Sequence, residues 1–319
     1  MKISLIFPVY NEEEGIIGFW GNELLPFLEK MKSYKFEIIF IDDGSYDNTN
    51  QKLKEITSVN LLQNNIEIKI ISFSKNYGKE IALTAGVEKA SGDYIITADS
   101  DGQHPLSLIP DFINKAENGS DIVFGLRRDY KKQSFVKRVL SKIYNGAFKK
   151  ITGSSFPENM TDFILINKKA KKYFPMFTER NRAYRYIIYQ LGFKRGFLHY
   201  SPKERLAGKA SYSFKKLKKL AVNIFVSQSP FLLYLFGYIG SIISILSFLV
   251  GIFIIVEQWI LNDPLKLRLA GYVSLGVFTS FLCGLIMIAL AMQALYINNI
   301  NTETMKRPLY IIDEERSKL

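Results

Sequence analysis

Short runs of β-branched, aromatic and other apolar residues recur through the first 125 positions: ISLIFPV (3–9), EIIFID (37–42), EIKIISF (67–73), YIITAD (94–99) and DIVF (121–124). Stretches with helical spacing separate them, at about 12–32, 47–60, 78–90 and 105–118. Alternation of this kind predicts βαβ units and an α/β fold with a mostly parallel sheet. Such sheets bind ligands beyond the carboxyl ends of their strands. Polar clusters fall at those ends: Tyr10-Asn11-Glu12, Asp42-Asp43-Gly44-Ser45 and Asp99-Ser100-Asp101.

The pattern changes after residue 125. Segments 133–151 and 168–190 have helical spacing, and 193–200 reads as a strand. Residues 213–229 place Phe214, Leu217, Leu220, Ala221, Ile224 and Phe225 on one helical face, with Lys215, Lys216, Lys218 and Lys219 opposite. That arrangement predicts an amphipathic helix at a membrane interface. Residues 231–256 and 269–297 carry no charged side chain. Each exceeds the roughly 20 residues that span a hydrocarbon core, so a two-helix transmembrane segment is expected over 230–298. The expected organisation is a catalytic domain over 1–212, the interfacial helix, the hairpin, and a tail over 299–319.

Charge sharpens this picture. Residues 1–125 hold 11 Lys/Arg and 19 Asp/Glu, a balance of −8, whereas residues 126–219 hold 25 and 5, a balance of +20. An acidic half suited to a metal precedes a basic half suited to phosphates or anionic lipid. The basic block runs straight into a membrane span, which argues against nucleic acid as its partner. Lys and Arg concentrated at 203–219, before the first span, predict a cytoplasmic domain, an outward-facing loop at 257–268 and a cytoplasmic tail. MKISLIFPVYNEEE does not read as a signal peptide. The single cysteine, Cys283, lies in the second apolar run, which rules out a disulfide framework and a cysteine zinc site.

The chemistry-bearing loop is ADSDGQHP (98–105). If the extended backbone continued past the strand, Asp99 and Asp101 would point the same way. Two like charges so placed call for a cation or a hydrogen-bonding ligand. Hard oxygen donors suit Mg²⁺ or Mn²⁺, with substrate phosphate completing the shell. Neither a G-x-G-x-x-G after the first strand nor a G-x-x-x-x-G-K-[ST] is present, so a dinucleotide site and a P-loop are disfavoured.

FPVYNEE (7–13), IDDGSYDNT (41–49), KNYGKEIALTAGVEKASGDY (75–94) and ADSDGQHP together resemble glycosyltransferase family 2, with its GT-A fold. GLRR (125–128), KRVLS (137–141), DFILIN (162–167), RLAGKASYS (205–213) and the C-terminal hairpin resemble the branch that loads sugars onto polyprenyl phosphate. That branch includes the dolichol-phosphate mannose synthases and GtrB-type glucosyltransferases. The resemblance implies that Pro8, Tyr10, Glu12, Asp42 and Asp43 form the nucleotide pocket, with Asp99 close by. It implies Asp101 and Gln103 as ligands of Mg²⁺ or Mn²⁺. Arg127, Lys137, Arg138, Ser141, Arg205 and Lys209 would hold the acceptor phosphate, with Asp101, Asp162, Arg127, Arg138 and Arg205 as the catalytic set. Two departures stand out: Gly102 where the family often has Leu, and GKASY with no lysine immediately before Tyr212.

The implied reaction is inverting transfer of a sugar, glucose put first, from a UDP-sugar to polyprenyl (undecaprenyl) phosphate at the inner or plasma membrane. GlcNAc, or mannose from GDP-mannose, are the alternative sugars. A polysaccharide synthase and an inactive membrane-anchored binding protein are the rival classes. A homo-oligomer such as a tetramer and a separate flippase are further expected partners.

Overall fold

In a computed structural model of the chain, the described residues are 1–58, 65–128, 157, 159–180, 182–203, isolated positions between 238 and 256, and 267–318. The apolar runs become strands because nearly every residue in them is covered. In β2 (Lys35–Asp42) only Lys35 is exposed. Strands buried on both faces read as continuous apolar runs rather than alternating ones. With β1 (Lys2–Val9), β3 (Ile66–Ser72), β4 (Tyr94–Thr97), β5 (Ile122–Arg127), β6 (Met160–Asn167) and β7 (Arg195–Tyr200), β2 forms a seven-stranded sheet in the order β3-β2-β1-β4-β6-β5-β7. Neighbouring pairs are parallel except those involving β6, which is antiparallel to β4 and β5. The GT-A architecture expected from the resemblance is therefore present.

Alternate side chains of the strands feed two cores. Ile3, Leu5 and Phe7 of β1 face a layer holding α1 (Ile16–Phe19), α2 (Leu25–Lys30), α3 (Thr49–Ser58) and α5 (Ile109–Glu117). Ile6, Ile39 and Ile41 face α4 (Lys79–Lys89), whose residues Ile81–Val87 are all buried. A Cβ on Gly86 would stand 2.3 Å from Ile6 Cγ2, so glycine lets α4 lie directly on the sheet.

Residues 160–167 form the strand that carries the DFILIN motif. Two expectations need correction. The helix expected over 168–190 is broken: α6 spans Lys168–Tyr173, a 3₁₀ turn with Pro175 follows, and α7 spans Tyr184–Gln190. β4 ends at Thr97, and Gly102 at φ +78° closes a turn, so Asp99 and Asp101 are not successive same-face strand positions.

Two compact units emerge. The first comprises Met1–Lys149, Ser154–Ser211 and Arg307–Leu319, and the second comprises Lys150–Gly153 and Tyr212–Lys306. The interfacial segment 213–229 lies outside the described residues, as does most of the first span. In the second unit, α8 runs for 38 residues, Leu267–Thr304. Its stretch Leu282–Thr304 is long and apolar enough to cross a membrane, the one such helix among the described residues. Met287, Leu290 and Ile297 on it are exposed, unlike the side chains of a soluble core helix.

Candidate functional site

The sheet delivers Asp99 from the end of β4, Arg127 from the end of β5 and Asp162 from β6 to one pocket. Gln103, His104, Thr161, Arg185, Tyr200 and Pro202 complete its lining. Local structure fixes each member. His104 is buried and stacked on Phe163, and its Nδ1 accepts the Asp99 backbone N–H at 2.8 Å. That bond sets the direction in which the loop leaves β4. Thr161 Oγ1 donates to the Gly125 carbonyl and accepts from Tyr200 Oη, tying β5, β6 and β7 together at the pocket wall.

The pocket's electrostatics centre on a residue that the motifs did not single out. Lys79 opens α4, and its Nζ lies 2.6 Å from Asp99 Oδ1 and 2.7 Å from Asp162 Oδ2. Arg185 Nε stands 3.1 Å from Asp162 Oδ1, which accepts no aligned hydrogen bond among the described residues. Burial works against the Lys79 charge, but Asp162 and Asp99 outweigh it and hold the ammonium well above the ordinary lysine range. Burial likewise opposes ionisation of Asp162, yet Lys79 and Arg185 hold its carboxyl well below the usual range. Glu80, next in α4, accepts the Tyr184 backbone N–H at 2.6 Å. Burial, aided by the Asp162 charge, pushes the Glu80 carboxyl above the usual carboxylate range.

A lysine in the first turn of α4 sits at the end where the helix dipole disfavours cations. The two carboxylates explain it. That anomaly, a Lys-Glu pair after Gly78 in the KNYGKE motif, was the available signal for Lys79 and Glu80. Arg185 offered none, because its partner lies on another element.

The second cluster lies at the ends of β1 and β2. Asp42 and Asp43 are buried rather than presented to solvent. Asp43 accepts the backbone N–H groups of Tyr77 and Gly78 and the side-chain amide of Asn76. Burial pushes its carboxyl up to about 6 against those donors. Asp42 Oδ1 accepts the Ser45 N–H. Tyr10 and Tyr46 meet edge-on at 6.3 Å and are both exposed, forming an aromatic rim. The Glu12 carbonyl, rather than its carboxylate, accepts the N–H groups of Gly15 and Ile16 that start α1. Pro8 sits below this rim, its carbonyl accepting Ser100 Oγ.

Gln103 lines the pocket, and Asp101 Oδ1 accepts its N–H at 3.0 Å. No group of three His, Cys, Asp or Glu side chains suited to a metal occurs among the described residues. One carboxylate and one amide oxygen nevertheless fit a hard cation that takes diphosphate and water oxygens for the rest of its shell. Asp99 is neutralised by Lys79 instead. Lys137, Arg138, Ser141, Arg205 and Lys209 lie outside the described residues.

A family model described as glycosyl transferase family 2 matches residues 4–191. The bactoprenol glucosyl transferase of Shigella phage SfV is 34% identical over 318 residues, covering all of both chains. The prophage bactoprenol glucosyl transferase homolog of Escherichia coli K12 is 35% identical over 98% of each. Among solved structures, mannosyl-3-phosphoglycerate synthase from Rubrobacter xylanophilus covers 70% of this chain and 71% of its own, at 11% identity and a TM-score of 0.47.

Proposed function

The chain belongs to glycosyl transferase family 2, and we propose that it moves glucose from UDP-glucose to polyprenyl phosphate with inversion at the anomeric carbon. The observation that carries this reading is the pocket joining Asp99, Gln103, Arg127 and Asp162 beyond the strand ends. Two full-length relatives named for glucosyl transfer to bactoprenol support the choice of acceptor and sugar.

In this reading the loops after β1 and β2 hold the uridine, with Tyr10 and Tyr46 at the rim and Asp42 and Asp43 shaping the turn from beneath. Asp101 and Gln103 would hold Mg²⁺ or Mn²⁺, which when bound supplies Lewis-acid neutralisation of the leaving diphosphate. The acceptor is a phosphate monoester with a second pKa of about 6, so it arrives largely ionised and needs little help from a base. Asp162 agrees with that. A carboxyl held well below its usual range is a weak proton acceptor, so Asp162 orients Lys79 and Arg185 instead. Arg127 faces the same pocket and offers a planar fork of donors to a phosphate. Arg138, Lys137, Ser141, Arg205 and Lys209 would extend the acceptor site.

A polyprenyl tail stays in the bilayer, so the enzyme works at the membrane, with residues 230–298 as its anchor and the catalytic domain and both chain ends on the cytoplasmic side. A homo-oligomer and a separate flippase complete the proposal.

The test is a panel of UDP-glucose, UDP-GlcNAc and GDP-mannose offered to the full-length protein in liposomes, with and without undecaprenyl phosphate. Glucosyl-lipid formed only with UDP-glucose and lipid phosphate supports the reading. Turnover of another donor alone overturns the sugar, and nucleotide release indifferent to lipid phosphate overturns the acceptor.

A further inference from the structure

Segment 307–318, which follows α8, belongs to the same compact unit as the sheet. It lies along the outer edge of β3, the first strand in the sheet order, through antiparallel bridges Phe73↔Ile312 and Ile70↔Lys318. Ile70 and Lys318 exchange both backbone hydrogen bonds at 2.8 Å, and Tyr310 stacks on Phe73 at 5.0 Å. Capping an edge strand explains why such a segment exists. It does not explain residues 314–317, which leave the ladder after the Asp313 N–H has bonded the Ser72 carbonyl and carry Arg316 inward.

That excursion is built from specific contacts. Ser317 Oγ donates to the Asp313 carbonyl and accepts the Ser72 N–H. The Arg316 carbonyl accepts from both Asn50 Nδ2 and Ser72 Oγ. Held in this way, Arg316 Nη2 reaches Asp42 Oδ2 at 3.1 Å and the Ser45 carbonyl at 2.8 Å. One guanidinium therefore closes the 42–45 turn from both ends. This is the only ion pair of the fully buried Asp42 among the described residues. The turn has little slack of its own: Gly44 has φ +67°, and a Cβ there would meet Lys75 C at 2.3 Å. Ser45 Oγ in turn accepts the Asn11 N–H, and Asn11 Oδ1 accepts the Tyr46 N–H. The contacts thus run from Arg316 through Ser45 to the loop bearing Tyr10 and Glu12.

We propose that Arg316 is a positioning residue of the nucleotide pocket, so that the 314–317 excursion after the last helix forms part of the donor site. This rests on the reading that the loops after β1 and β2 hold the nucleotide. Arg316 acts through Asp42 and Ser45, fixing the turn before the base arrives, so its effect falls on donor affinity rather than on the chemical step.

The experiment measures UDP binding by calorimetry, and donor KM and kcat, on full-length wild type, Arg316→Ala, Arg316→Lys and Tyr310→Phe. Loss of a charge-assisted contact that organises the turn is expected to weaken UDP binding and raise donor KM about tenfold in Arg316→Ala, with a smaller fall in kcat. Arg316→Lys keeps the charge near Asp42 but lacks the rigid fork that serves two acceptors, so it gives an intermediate loss. Tyr310→Phe removes only the segment's bond to Glu88 and binds UDP as wild type does. Wild-type UDP affinity in Arg316→Ala overturns the inference. So does a loss in Tyr310→Phe equal to that in Arg316→Ala, which would mean that any loosening of the segment suffices. If Arg316→Ala does not fold, wild-type affinity in Arg316→Lys overturns the inference in its place. A wild-type protein that binds no UDP would sink the underlying nucleotide reading instead.

Discussion

Replacing Lys79 with methionine keeps the length of the side chain and removes its charge, which tests the organisation of the whole pocket. Lys79 pairs with Asp99 and Asp162, and Arg185 faces Asp162 from the other side. The two cations and two carboxylates balance. After Lys79→Met, one carboxylate is left in a largely dry site, where Asp162 is only 11% exposed. Breaking a buried pair by removing one partner costs about 3–5 kcal/mol. Lys79 is itself about a third exposed and Arg185 remains, so solvent and that second cation reduce the expected loss to about 2–3 kcal/mol. Urea or thermal unfolding of the full-length protein in detergent measures it, beside glucosyl transfer to undecaprenyl phosphate. Turnover should fall at least about a hundredfold, because the pocket's fixed charges act on the transition state. The double variant Lys79→Met/Asp162→Asn restores neutrality. It should recover stability to within about 1 kcal/mol of wild type while staying inactive. If the single variant unfolds within about 0.5 kcal/mol of wild type, the ion pairs do not organise this site.

Other outcomes follow from separate parts of the molecule. Asp101→Asn should abolish turnover while leaving the melting temperature unchanged, and EDTA should mimic it; full activity in either case removes the metal role. Gly44→Ala should lower both stability and UDP affinity, since its Cβ would meet the Lys75 backbone at 2.3 Å; wild-type UDP affinity would show that the turn has slack. Glu37, fully buried at the end of the sheet opposite the pocket, is held down to about 2 by Lys69, Ser4 and Ser91 despite its burial. A carboxyl depressed in the folded state stabilises above its unfolded pKa, and that stability fades as pH falls from about 4.5 toward 2. Glu37→Gln should therefore cost up to about 3 kcal/mol at pH 7 and progressively less below pH 4.5. An equal gap at pH 3.5 and pH 7 would contradict this.

The strands through β5 were legible because each is a continuous apolar run separated from the next by a helix with an apolar face. β6 was not. MTDFILIN sits inside the basic block, and Asp162 interrupts the apolar pattern at the residue that matters most. Its antiparallel course also departs from the βαβ rhythm. Helix 168–190 was overextended because Pro175 and the stretch after it break a pattern that otherwise keeps its period. Segment 307–318 was read only as a tail, since its attachment to β3 depends on backbone pairing and on Arg316, neither of which leaves a period in the sequence.

The same division runs through the site. Carboxylates at strand ends could be found, because the sheet rule says where to look. Their partners could not, because Lys79 and Arg185 arrive from α4 and α7 and pair only once the chain has folded. This changes how the acidic half works. The count of −8 suggested that carboxylates gather to hold a cation, yet Asp99 of that half is neutralised by Lys79, as is Asp162 of the half that follows. A diphosphate entering beside them therefore meets a nearly neutral floor. On the proposed reading, the added negative charge of donor and acceptor is balanced by a cation at Asp101 and Gln103 and by Arg127 with the basic block that follows it. Part of the +20 of residues 126–219 pairs with the protein's own acids, through Arg185–Asp162, Lys203–Glu23 and Lys169–Asp121. On the same reading the remainder serves the substrates, and its effect on rate should weaken with added salt while the Lys79 pairs persist.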